Sequence, residues 1–138
     1  MKAHQQWAKD CDFNLIVFET KSHLDEPIYH TDIVMFIGTE IAVICPDSIQ
    51  SQYQSKVIDK LNKHHEIMEI SEDQVLHFCG NGLEVRDADD NLKVVMSTAA
   101  FNSYTSNQKK IFSKLYTKII HSNLECIEKY GGGSARCM

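Results

Sequence analysis

The sequence of 138 residues predicts an α/β chain built from two strand–strand–helix–strand units. Three observations predict it. Two short β-branched runs, "DIVMFIG" (32–38) and "EIAVIC" (40–45), stand side by side, and a helical pattern and the run "HEIMEI" (65–70) follow them. The same order returns with "GLEVRD" (82–87), "LKVVMST" (92–98), a second helical pattern and a short strand ending near 121. Each unit is about 40 residues long, a period that repeat architectures use. The residues of the two copies do not align, so the repeat is one of layout.

The elements follow in order. "HQQWAKDC" (4–11) reads as a short helix, and "NLIVFET" (14–20) is a continuous apolar run of strand length. Gly38 and Thr39 separate the next two strands at a tight turn, and Pro46 closes the second. From Ser48 to about Lys63, Ile49, Tyr53, Val57 and Leu61 recur at four-residue spacing on one helix face, with Asp47 or Ser48 able to cap it. "SEDQ" (71–74) has the form of a capping box and predicts a short helix to about Phe78. "ADDN" (88–91) supplies a hairpin turn. "TSNQ" (105–108) is a second capping box, opening a helix with Ile111, Leu115 and Ile119 on its apolar face and Phe112 and Tyr116 beside them. "LECIEKY" (124–130) leads into the glycines of "GGGSARCM".

Composition narrows the function. Fourteen basic against nineteen acidic residues give a net charge of -5, which argues against a nucleic-acid partner. No apolar run approaches the roughly 18 residues of a membrane span, and the first ten residues lack a signal-peptide core, so a cytoplasmic protein with no membrane partner is expected. The five cysteines, Cys11, Cys45, Cys79, Cys126 and Cys137, include no C-x-x-C pair, so neither a disulfide framework nor a metal site is expected. Cys45, Cys79 and Cys126 read as small buried apolar residues. Cys137 differs, because its neighbours are small, flexible or cationic.

Two stretches can carry chemistry. His30 and Asp32 stand at i and i+2 just before a buried strand, and in an extended backbone their side chains share one side. Gly131, Gly132 and Gly133 allow close approach of a ligand to the backbone, and a cysteine beyond them next to Arg136 is a candidate nucleophile. Both stretches also have ordinary readings, a structural histidine and a flexible tail, and the residues alone leave both open.

The segments "YHTDIVMFIGTEIAVIC", "EISEDQVLHFCGNGLEV", "LKVVMSTAAFNSYTSNQKKIF" and "GGGSARCM" resemble, in order and spacing, the arginine deiminase superfamily, the guanidine-modifying enzymes of pentein fold. The similarity is greatest to the amidinotransferase-like citrulline-utilisation hydrolases. It covers about residues 9–138. It implies a partial pentein-type α/β propeller of about two ββαβ modules, near 30–70 and 79–121, with a flanking strand at 14–20 and a final catalytic loop at 129–138.

The resemblance also implies roles. Cys137 matches the nucleophile that attacks the central carbon of a guanidino or ureido group. His30 matches the residue that protonates the departing amine and then activates water. Asp32 matches the carboxylate that holds the substrate's terminal nitrogens, and as an aspartate it favours a cationic guanidinium over a neutral urea. Gly80 and Asn81 match a structural turn near the site. No metal or organic cofactor is implied, since thiolate and imidazole supply the chemistry.

The pattern matched is the C-terminal portion of that fold, without the acidic residues of earlier modules. The expectation is therefore a C–N hydrolase incomplete as this chain, because a thiol near a free terminus is not held firmly enough for turnover. The alternative is a non-catalytic remnant, or a module whose open strand edges pair with a second copy or a partner.

Overall fold

A computed structural model of the chain describes residues 2–138. Helix α1 covers Lys2–Asp10. One helical turn, α2 (Thr31–Val34), enters β1 (Met35–Ile37), which pairs antiparallel with β2 (Ile41–Ile44). A 3-10 turn at Pro46–Ser48 and helix α3 (Ser51–Leu61) carry the chain across to β3 (Glu66–Glu69), parallel to β2. The second unit repeats the plan. After α4 (Glu72–Leu76), β4 (Leu83–Arg86) pairs antiparallel with β5 (Leu92–Ser97). Helices α5 (Thr98–Ser103) and α6 (Ser106–Leu115) cross over to β6 (Lys118–Ser122), parallel to β5, and α7 (Glu125–Gly131) follows. The sheets have the same order, β1-β2-β3 and β4-β5-β6, as two strand–strand–helix–strand units require.

Local chemistry accounts for most boundaries. Both capping boxes form: Ser71 with Gln74 opens α4, and Thr105 with Gln108 opens α6. The two are joined, because Gln74 donates to Gln108 at 2.9 Å and Gln108 donates to the Glu69 carbonyl at 3.0 Å.

Five local expectations are corrected. The run at 14–20 is not a strand, since only Thr20 bridges, to Ile49, and a strand without a ladder partner has nothing to define it. The strand expected from Asp32 begins at Met35, because Thr31–Val34 closes a helical turn first. Asp47 and Ser48 do not cap α3; the 3-10 turn takes both, and Gln50 precedes the helix without a side-chain cap. The strand ending at β5 stops one residue early because Ser97 accepts from the Ala100 N–H at 3.1 Å and starts α5. The deeply buried residues at α6 are Phe112 and, just past its end, Tyr116, while Ile111 and Leu115 are half-buried and Ile119 lies in β6.

One core serves both units. Phe36 of β1 stacks 6.3 Å from Phe112, which meets the edge of Tyr104 at 4.9 Å. A polar clamp fastens the units at their rim. Glu84 on β4 accepts from the Thr39 backbone N–H at 2.9 Å, from the Thr39 hydroxyl at 2.5 Å and from Tyr116 at 2.8 Å. Burial pushes the Glu84 carboxyl up, but the hydrogen bonds from Thr39 and Tyr116 outweigh it and hold it below the ordinary range.

Candidate active site

His30 sits in extended backbone (φ -106°, ψ 116°) directly before α2, and its side chain makes no capping bond to that helix. Asp32 lies within the first turn of α2, so the same-side argument from a strand does not apply to this pair. The two side chains nevertheless line one pocket of about 300 Å³, whose walls also include Ile33, the three glycines of the loop and Cys137.

The turn before β4 packs against α2 and the Cys137 loop. Gly80 lies so close to α2 that a Cβ built there would stand 2.2 Å from the Ile33 carbonyl oxygen. Tyr104 holds the preceding residue by donating its hydroxyl to the Cys79 carbonyl at 2.5 Å. Asn81, fully buried, is the joint of the site. Its amide donates to the Asp32 carbonyl at 2.7 Å and to Cys137 Sγ at 3.1 Å, and its Oδ1 accepts from the Arg136 N–H at 3.0 Å. One side chain thus ties the turn carrying Asp32 to the loop carrying Cys137.

The glycine loop works by absence of side chains. Gly132 ends α7 in the left-handed region (φ 68°). A Cβ on Gly133 would stand 2.7 Å from Cys137 Cβ, so the loop folds back on the cysteine only because that atom is missing. Ser134 is buried and donates to Glu128 at 2.7 Å, and the Cys137 N–H donates to the Ser134 carbonyl at 3.0 Å. The Cys137 thiol donates to Asp32 Oδ2 at 3.3 Å. Nucleophile candidate and carboxylate are therefore in direct contact.

The other thiols sort by environment. Cys79 is buried, and burial pushes it up to about 12; burial likewise pushes Cys45 up. Cys126 is exposed rather than buried as expected, since it lies on α7, a helix with no buried residue, and Cys11 is exposed as well. Among the described residues, neither is hydrogen-bonded through its sulfur to a carboxylate or an amide as Cys137 is. A larger open depression of about 530 Å³ runs along residues 123–130, but it gathers no comparable pair of groups.

The site residues expected from sequence are brought together: His30, Asp32, Cys137 and the glycines share the pocket, with Gly80 and Asn81 beneath it. What sequence reasoning missed is that Asn81 contacts the sulfur itself, and that Tyr104 supports the turn. Those contacts span 56 and 25 residues, beyond any local pattern.

A family model described as "N,N dimethylarginine dimethylhydrolase, eukaryotic" matches residues 1–138. Solved structures share the fold. The substrate-bound N-terminal domain of ArgZ, an arginine dihydrolase from the ornithine–ammonia cycle in cyanobacteria, superposes with a TM-score of 0.74 at 18% identity, covering 99% of this chain and 45% of that one. Its product-bound form gives 0.72 at 18% identity over the same shares. Apo ArgZ gives 0.73 at 16% identity, covering 99% of this chain and 20% of that one. The chain thus spans less than half the length of the structures it matches. No curated protein sequence matches it.

Proposed function

The chain belongs to the eukaryotic N,N-dimethylarginine dimethylhydrolase family, and from that premise we propose that it carries the nucleophile half of a hydrolase acting on a cationic guanidino group. The substrate class is arginine or an N-substituted arginine. Of the guanidino and ureido substrates that the sequence resemblance implies, the carboxylate of Asp32 favours the cation, and a neutral citrulline-like ureido group comes second. The observation that carries the reading is the contact of Cys137 Sγ with Asp32 Oδ2 at 3.3 Å in a pocket that His30 also lines.

The chemistry follows from those groups. Asp32 accepts hydrogen bonds from two N–H groups of the planar cation and orients its carbon toward the sulfur. Cys137, having lost its proton, forms an S–C bond to that carbon, and the C–N bond to the departing amine breaks as His30 delivers a proton to the nitrogen. Water then adds to the thiouronium carbon, His30 takes its proton, and the S–C bond breaks. The sum is guanidinium plus water giving a urea and an ammonium ion, which is an alkylammonium ion where the departing nitrogen carries a substituent. Asn81, donating to Sγ, keeps the sulfur in register through both steps.

The reaction of 2-chloroacetamidine with the purified chain tests this proposal. The reagent forms an S–C bond as chloride leaves and the thiol proton passes to solvent. Peptide mass spectrometry is expected to find the label at Cys137 well before Cys11 or Cys126, with N,N-dimethylarginine slowing it. Equal labelling of the three exposed cysteines contradicts the reading.

A further inference from the structure

A second pocket, of about 350 Å³, adjoins the site, and nothing in the chemistry above uses it. Its size falls among those of small-molecule sites. Its lining is mainly apolar, with Ile28 and Tyr29 from the segment before α2, Val75 and Leu76 of α4, and Phe78 just beyond it, while Glu72 and His23 stand on the same wall. It shares His30, Ile33 and Gly132 with the pocket that holds Cys137 and Asp32. Gly132 adds no side chain to that shared wall, and a Cβ built there would meet nothing within 4 Å.

We propose that this annex binds an apolar N-substituent, larger than a methyl group, on the nitrogen that departs from the guanidino carbon. The proposal rests on the hydrolase reading and extends it to a substrate class. The direction comes from His30, which lines both spaces. In the proposed reaction His30 faces the departing nitrogen, so whatever that nitrogen carries lies on the His30 side of the site, where the annex begins. The match is one of polarity: an alkyl chain laid along the aliphatic and aromatic part of the wall, Ile28, Val75 and Phe78, leaves water for apolar surface. Tyr29 and Leu76 are 88% and 54% exposed, so a chain laid against them covers apolar surface that is otherwise wet.

The test compares 2-chloroacetamidine with its N-butyl derivative, read as the rate of labelling at Cys137. Each methylene removed from water is worth about a threefold to fourfold gain, so the butyl reagent is expected to be favoured by about tenfold or more. A Tyr29→Gln, Leu76→Gln double variant is expected to lose most of that preference while labelling with the parent reagent continues at its original rate. Both positions are exposed, so the exchange does not disturb the core, and the ratio of the two rates cancels any general change. A butyl reagent no faster than its parent, or a preference that survives in the double variant, overturns the annex and leaves the hydrolase reading standing. Failure of the parent reagent to select Cys137 overturns the hydrolase reading, and the annex falls with it.

Discussion

A Gly80→Ala substitution is expected to destabilise the chain by about 3 kcal/mol, the upper end of what overpacking costs. The added methyl would meet the Ile33 carbonyl oxygen at 2.2 Å, the Val34 carbonyl carbon at 2.8 Å and the Ile33 carbonyl carbon at 2.9 Å. All three are backbone atoms of the turn that carries Asp32, so no rotamer change relieves the clash. The two turns must part, and the site parts with them. Gly131→Ala is the control, since its methyl would meet only the Ile127 Cγ2 atom, at 3.7 Å. Urea unfolding of both variants measures the difference. A lower midpoint for Gly80→Ala at unchanged slope is the expected result, and equal midpoints would mean that the close approach of the two turns is wrong.

Asn81→Ala is expected to act more on reactivity than on stability. The exchange removes two donors and one acceptor that serve Asp32, Cys137 and Arg136. Arg136 and Cys137 are exposed, so water replaces part of what is lost, and the stability cost stays near about 1–3 kcal/mol. The sulfur, however, loses the donor that fixes its position, and a displacement near 1 Å can cost about 10²-fold in rate. Labelling of Cys137 by 2-chloroacetamidine should therefore slow about 10-fold to 100-fold, with Cys11 unaffected as an internal reference. A residue that serves only the fold would show the opposite: loss of stability with the Cys137 rate intact in the folded fraction.

These two neighbours mark the boundary of what sequence reveals. The repeated sheet plan was legible because its signals are local: β-branched runs of strand length, two S/T-x-x-Q boxes and a D/N-rich turn each specify their own few residues. The reading failed where structure depends on distant partners. Residues 14–20 have the composition of a strand, yet only Thr20 finds a bridge. Ile33 and Val34 look like strand residues and lie in a helical turn, because α2 is only four residues long and its neighbours decide its shape. The glycine loop and the H-x-D triplet could be recognised as a pair only through their resemblance to a family, while "GN" announces a turn and says nothing of the sulfur it reaches.

In the proposed reaction Asp32 makes the surroundings of Cys137 selective for a cation. 2-Chloroacetamidine and 2-chloroacetamide differ in charge but share their shape and leaving group, and the ratio of their labelling rates at Cys137 reads that selectivity directly. Opposite charges about 4 Å apart are worth about 1–4 kcal/mol between water and a protein surface, which corresponds to about fivefold or more. The amidine-to-amide ratio is predicted to fall by at least that factor in Asp32→Asn, with the amide rate little changed. A ratio that stays the same in the variant would mean that Asp32 does not select the cation.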